Sequence, residues 1–116
     1  MIRWMSNLKV YLYHEAIDMR KQRNGLLTLI QETLTQDPQS EQLFLFYNKG
    51  RDKLKGLLWH RNGFLIIYKV LEKGRYELTD LTQDLTLNAE ELSWVLMGFD
   101  FRRMKEHPEL RFENYY

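Results

Sequence analysis

The chain has 116 residues, no cysteine and a formal net charge of +1, and 44% of its residues are hydrophobic and 14% aromatic. This length and composition are typical of one globular domain with a single core, and they exclude an intrinsically disordered chain. The absence of cysteine excludes disulfides, thiolate nucleophiles and cysteine-type zinc sites. No apolar run is long enough to predict a membrane span, and the N-terminal sequence lacks the form of a secretory signal, so we expect a cytoplasmic protein.

The first third of the chain predicts one strand and one helix. Residues 10–13 are β-branched and aromatic, as in a short strand. Apolar residues then recur at spacings of three and four from Leu26 to Leu34, which indicates a helix with one buried stripe. Asp18 precedes this segment and is predicted to cap the helix.

Residues 43–47, 53–59 and 63–71 predict three further strands, separated by turns at residues 48–52 and 61–63. The longest run, 63–71, carries apolar side chains on both faces, which is typical of an interior strand. We therefore predict that it lies centrally in the sheet, with Ile66 and Ile67 pointing to opposite faces and both buried. Residues 75–78 are a candidate final strand.

The last predicted helix begins at Asn88. Asn88 and Glu91 have the spacing of a capping box, and an apolar stripe follows from Leu92 to Phe99. The element order is β-α-β-β-β-α, which predicts an α+β fold: a small antiparallel sheet packed by two helices.

The domain organisation follows from the same pattern. We place a single α+β domain at residues 1–101 and a polar C-terminal extension at residues 102–116, which Pro108 interrupts.

The near-neutral total charge conceals a basic middle block, residues 44–76. Eight Lys and Arg residues stand there against Asp52 and Glu72, a net charge of +6, so the remaining residues sum to −5. A local basic field attracts a polyanion such as DNA, although solvated strand faces are often charged as well. Three cations at the start of the first predicted helix oppose the helix dipole, so helix stability does not explain them. The candidate DNA-binding residues are Arg20, Lys21, Arg23, Lys49, Arg51, Lys53, Lys55, Arg61, Lys69, Lys73 and Arg75.

Lys53 and Lys55 share one face of their strand, because alternate residues of a strand lie on the same side. We predict that both are exposed and serve binding, so that replacing them by alanine leaves the melting temperature nearly unchanged.

The search for catalytic chemistry finds no motif. His14, His60 and His107 lack the spacing of metal ligands, and the carboxylates are scattered through caps and turns. The sequence has no Gly-rich phosphate loop and no nucleophile elbow. Trp59 and Trp94 are predicted to fill the core, not to stack on bases. We therefore predict no catalytic residue, no metal, no cofactor and no small-molecule substrate.

Four ordered blocks of the sequence resemble one protein family. The blocks are residues 18–26, 44–59, 63–76 and 91–100, and their most specific parts are Asn48-x-x-x-Asp52-x-x-Lys55 and the run from Gly63-Phe64 to Gly74-Arg75. The family is the accessory protein called TnpB, encoded by the second reading frame of insertion sequences of the sixty-six type. It is unrelated to the RNA-guided nuclease of the same name.

The resemblance implies a non-catalytic accessory protein for transposition, and thus DNA recombination, of a bacterial mobile element. Its expected partners are DNA and the separate transposase, which it would bind through the basic face. The resemblance further implies a location at the nucleoid and no membrane partner. Two alternatives stay open: a protein–protein adaptor for the transposase without direct DNA contact, and an enzyme that the motifs do not reveal. Salt-dependent binding distinguishes DNA contact from an adaptor, because phosphate contacts release counterions.

Overall fold

A computed structural model describes residues 6–106 of the chain. The α+β class predicted from the sequence is confirmed. The elements in chain order are β1 (Lys9–Leu12), α1 (Arg23–Thr28) with a π-helical continuation (Leu29–Thr33), β2 (Gln42–Tyr47), β3 (Lys53–His60), β4 (Gly63–Val70), β5 (Leu85–Leu87), α2 (Ala89–Leu96) and α3 (Phe101–Glu106).

The five strands form one sheet in the order β4-β3-β2-β1-β5. β1 and β2 are parallel, and the other neighbouring pairs are antiparallel. The connection from β1 to β2 carries α1, as a crossover between parallel neighbours requires. The candidate strand at residues 75–78 is wrong, since these residues form a loop that buries Tyr76 and Leu78, and the additional strand is β5.

Different helices cover the two faces of the sheet. On the face that we call the α2 face, Trp94 of α2 packs with Leu45 in a cluster that also includes residues of α3. On the opposite side, the α1 face, Leu26 of α1 packs with Phe44. Because side chains alternate along a strand, β2 supplies both cores and is buried from Leu43 to Tyr47.

β4 is an edge strand, and the prediction that it lies centrally is wrong. Among residues 6–106 it pairs with β3 alone, and Ile66 and Ile67 are 42% and 40% exposed. Their side chains do point to opposite faces, because Ile67 lies over Gly56 on the α2 face and the neighbouring Ile66 pairs with Leu57, which belongs to the α1-face core. The prediction failed because both helix layers stop short of β4, so residues 6–106 leave its apolar faces half-exposed.

The first helix begins later than predicted, at Arg23. Asp18 does not cap it. The Asp18 carboxylate instead accepts a hydrogen bond from the backbone N–H of Arg20 at 2.9 Å, which makes it a turn residue before the helix. The capping box of the last predicted helix is confirmed, because Glu91 N–H donates to Asn88 Oδ1 at 2.8 Å and Asn88 N–H donates to Glu91 Oε1 at 3.0 Å.

α3 follows α2 after Gly98, whose φ of +85° favours glycine. Phe101 and Met104 of α3 are buried. The division into a domain and an extension after residue 101 stays a prediction. The tail residues His107 and Pro108, like the N-terminal residues 1–5, lie outside the described residues. Within residues 6–106, no helix is long and apolar enough to span a membrane.

Candidate nucleic-acid interface

Three of the predicted cations line one groove on the α1 face. Arg20 lies in the connection from β1 to α1, Lys49 in the β2–β3 turn, and Lys53 at the start of β3. The groove has a volume of about 420 Å³, and its remaining lining residues include Asp18 and Tyr68. Among the lining residues, three cations therefore face one carboxylate. We call this feature the basic groove.

Asn48 stabilises the β2–β3 turn, which carries Lys49 and leads into Lys53. Asn48 Oδ1 accepts hydrogen bonds from the backbone N–H groups of Asp52 at 3.1 Å and Lys53 at 3.0 Å, and its amide donates to the Asp52 carboxylate at 2.7 Å. The turn also contains Arg51 with a φ of +57°, a conformation that a side-chain bond of this kind helps to stabilise. The Asn48-x-x-x-Asp52 motif is thus explained by backbone geometry.

Lys55 of β3 bonds to the segment before α1, which forms the other wall of the groove. Its Nζ donates to the backbone carbonyls of Met19 at 2.8 Å and Lys21 at 2.9 Å, and lies 5.1 Å from the centre of the Tyr68 ring. The segment that carries Arg20 is therefore fixed to β3. Lys53 and Lys55 do share one face as predicted, but both are half-buried, so the prediction that they are exposed is wrong.

Two carboxylates partly neutralise the basic groove. The Arg20 guanidinium donates to Asp18 at 2.7 Å, and this hydrogen bond is the main cause that lowers the pKa of Asp18 to about 2. Hydrogen bonds from Asn48 and then Lys53 lower the pKa of Asp52, whose carboxylate lies 3.2 Å from Lys53 Nζ. The Arg20 side chain is nevertheless 91% exposed, so its guanidinium is accessible to a second anion.

Four further candidates lie at the same end of the sheet as the groove. Tyr76 N–H donates to the Arg51 carbonyl at 2.6 Å, which holds the loop after β4 against the β2–β3 turn. This loop carries Lys73 and Arg75, both exposed. Arg51 itself is half-buried in the turn. Lys21, next to Arg20, is exposed beside the groove.

The remaining three candidates lie elsewhere. Arg61 occupies the β3–β4 turn at the opposite end of β3, about 25 Å from Lys53 at the usual rise of a strand. Lys69 is on the α2 face, where its Nζ donates to the Leu96 carbonyl at the end of α2 at 2.7 Å. Arg23 is the exposed first residue of α1. The predicted DNA-binding residues therefore do not form one surface. Most lie at the groove end of the sheet, and Arg23, Arg61 and Lys69 lie at separate positions.

A polar cluster that the sequence did not reveal links β1 to the loop before β5. Tyr11 donates to the Asp84 carboxylate at 2.6 Å, and His14 contacts it through its backbone N–H at 3.0 Å and its Nδ1 at 2.5 Å. Burial raises the pKa of Tyr11 to about 12, and the hydrogen bond to Asp84 is the second cause of this increase. The Tyr47 hydroxyl donates to the His14 carbonyl. No sequence signal could have found this cluster, because Asp84 is 70 residues from His14.

Within the described residues, no group of three His, Asp or Glu side chains could hold a metal ion. The structure thus defines a small α+β domain with a basic groove on its α1 face.

The chain belongs to the IS66 Orf2-like protein family, the TnpB of IS66 elements, whose family model matches residues 8–106. It is 30% identical over 105 residues to the uncharacterised protein y4jC of Sinorhizobium fredii, a match that covers 90% of each chain. It is 27% identical over 101 residues to a second uncharacterised protein of that species, y4hO, covering 86% of this chain and 88% of the other. No solved structure matches the chain. The resemblance seen in the sequence is confirmed, and with it an accessory role associated with transposition.

Proposed function

We propose that this protein is a non-catalytic accessory factor that binds DNA during transposition of its insertion sequence, with the basic groove as the contact surface. The observation that carries the proposal is the convergence of Arg20, Lys49 and Lys53 on one groove. Lys and Arg contacts to phosphates supply most of the affinity of proteins that bind DNA without reading its sequence.

The arrangement suits a phosphate backbone because the segments that carry its cations are held in place. Asn48 and Lys55 bond to the backbone on either side of the groove, so the segments that carry Lys49 and Arg20 need little reorganisation to meet a phosphate. Lys73 and Arg75 extend the same end of the sheet and provide further phosphate contacts. Arg23, Arg61 and Lys69 contribute less, since they lie away from the groove.

In this proposal the transposase performs cleavage and strand transfer, while the accessory protein binds the element ends, the target, or the transposase–DNA complex. It acts in the cytoplasm at the nucleoid, with no metal, cofactor or small-molecule substrate of its own.

A protein–protein adaptor for the transposase is the second candidate. The pairing of Arg20 with Asp18 and of Lys53 with Asp52 favours it, because both cations already have a carboxylate partner. A protein surface with alternating charges would match such a groove better than a uniform polyanion does.

The test compares two double variants of equal charge change. Arg20→Ala with Lys49→Ala removes two cations from the groove, while Arg61→Ala with Lys9→Ala removes two from the opposite end of the sheet. Fluorescence anisotropy with a labelled duplex should show a loss of affinity of about tenfold or more for the groove variant and a much smaller loss for the control. Equal losses in the two variants would contradict the groove as the contact surface. Unchanged DNA binding in both, with a lost transposase interaction, would favour the adaptor.

A further inference from the structure

We infer that the free edge of β4 is a homodimer interface, at which a second copy of this chain pairs antiparallel with β4 and joins the two five-stranded sheets into one. This inference does not depend on the proposed DNA binding, because it rests on β4 alone.

The backbone groups along one edge of β4 have no partner strand among residues 6–106. Leu71 N–H donates to the Asp52 carbonyl at 2.8 Å, so these two residues form a hydrogen-bonded pair next to the pair Lys53–Val70 of the β3–β4 ladder. In an antiparallel ladder, hydrogen-bonded pairs alternate with pairs that do not exchange bonds. The odd-numbered residues of β4 therefore bond to β3, and the even-numbered residues, 64 to 70, direct their N–H and C=O groups to the free edge.

This edge lacks most of the features that protect natural edge strands. Natural edge strands are kept short or carry Pro, a bulge or outward charges that prevent pairing. β5, at the other edge of the sheet, has three residues, whereas β4 has eight in unbroken register with β3. β4 contains no proline, and its single charged residue, Lys69, is directed to the Leu96 carbonyl.

Apolar side chains also line this edge. Five β4 side chains are between 40% and 52% exposed, namely Leu65, Ile66, Ile67, Tyr68 and Val70. If each large side chain has a surface of about 200 Å², they expose together roughly 450 Å² per copy. Edge pairing would cover the part of this surface that faces the partner strand, together with the two backbone edges.

The charge pattern of β4 suits a second copy of the same strand. Residues 63–68 carry no charge, so the strand is apolar on both faces and complementary to itself about a two-fold axis. Even-numbered residues must pair with even-numbered residues, and an axis through Ile66 or Ile67 gives the longest overlap of the two strands. Either register keeps the two Lys69 residues more than about 13 Å apart, beyond the screening length of about 8–10 Å.

Analytical ultracentrifugation of the full chain tests the assembly. The wild type should sediment as a dimer, and Ile66→Lys should weaken dimerisation at least tenfold, because it places a charge at the apolar centre of the interface. Thr86→Lys, which adds the same charge to an exposed position on β5, should leave the dimer intact. A monomeric wild type, as expected if residues 107–116 of the same chain covered β4, would overturn the inference. An unchanged dimer in Ile66→Lys would overturn it too.

Cysteine cross-linking tests the pairing itself and does not depend on how Ile66→Lys folds. The chain has no native cysteine. Antiparallel neighbours have Cα atoms about 4.5–5.5 Å apart, within the range that a disulfide spans. Mild oxidation should therefore link two copies of Ile66→Cys or of Ile67→Cys, but not of Thr86→Cys. Failure of both β4 variants to cross-link, or equal cross-linking of the β5 control, would contradict the interface.

Discussion

Asn48 in the basic groove and Lys55 beside it bond to the protein backbone and so position the segments that carry the cations. Lys55 Nζ reaches two carbonyls of the segment that carries Arg20, so its loss would release that segment as well as remove a charge. Replacing Lys55 therefore cannot separate folding from binding, contrary to what the sequence suggested. Lys49, which is exposed in the turn, is the better probe of binding.

Asp84 makes a pH-dependent contribution to stability. Burial raises its pKa, but hydrogen bonds from His14 and Tyr11 outweigh this and leave the pKa below its usual value. A carboxyl group with a lowered folded-state pKa contributes stability that is present above its unfolded pKa, about 3.9, and is lost as the pH falls through the folded pKa. Asp84→Asn should therefore lower the melting temperature clearly at pH 6, and by much less below about pH 3.

Melting curves of the wild type and Asp84→Asn between pH 2 and pH 7 measure this difference. A gap in melting temperature that stays constant over the whole range would show that the charge of Asp84 does not contribute.

At the scale of elements, the close approach of β3 and β4 depends on Gly56. A Cβ atom at this position would lie 2.8 Å from Ile67 Cγ1 and 2.9 Å from Leu43 Cδ1. Gly56→Ala should therefore displace Ile67 and reduce the free energy of unfolding by about 1–3 kcal/mol, the usual cost of overpacking. Gly63→Ala is the matched control on β4, because no atom lies within 4 Å of its Cβ position. Chemical denaturation measures both, and equal stability of the two variants would contradict the packing described for Gly56.

The elements that the sequence predicted well are those that local bonds determine. The capping box at Asn88 and the hairpin between β3 and β4 both depend on residues close in sequence. The turn is formed by Arg61, with φ of +57°, and Asn62, because Gly63 already pairs with His60, so the Asn-Gly turn that the sequence indicated is wrong. The position of β4 depends on how far the helices extend over the sheet, and no local pattern contains that information. For the same reason, Ile66→Ala should reduce the free energy of unfolding by less than the ~2–5 kcal/mol usual for a fully buried isoleucine, because Ile66 is 42% exposed.

The candidate site was predictable as a set of cations but not as a surface. The sequence indicated a basic middle block, and the structure brings Lys49 and Lys53 of that block together with Arg20, which is about 30 residues earlier in the chain. Arg61 and Lys69 belong to the same block but point elsewhere, since a hairpin carries its residues to opposite ends and faces of a sheet.

At the scale of the whole molecule, the groove and the β4 edge are compatible. Pairing through even-numbered residues continues each face of one sheet into the same face of its partner. The proposed dimer would therefore present two basic grooves on one side, and it would contact more phosphates than a single chain.

The central claim is that the basic groove binds the DNA backbone, and a salt titration tests it most directly. The logarithm of the binding constant falls linearly with the logarithm of salt concentration, with a slope of about −0.9 for each phosphate contacted. The wild type should show a steep slope, and Arg20→Ala with Lys49→Ala should reduce its magnitude by about 2, one unit for each cation removed. A slope near zero for the wild type, or the same slope for the double variant, would contradict the account.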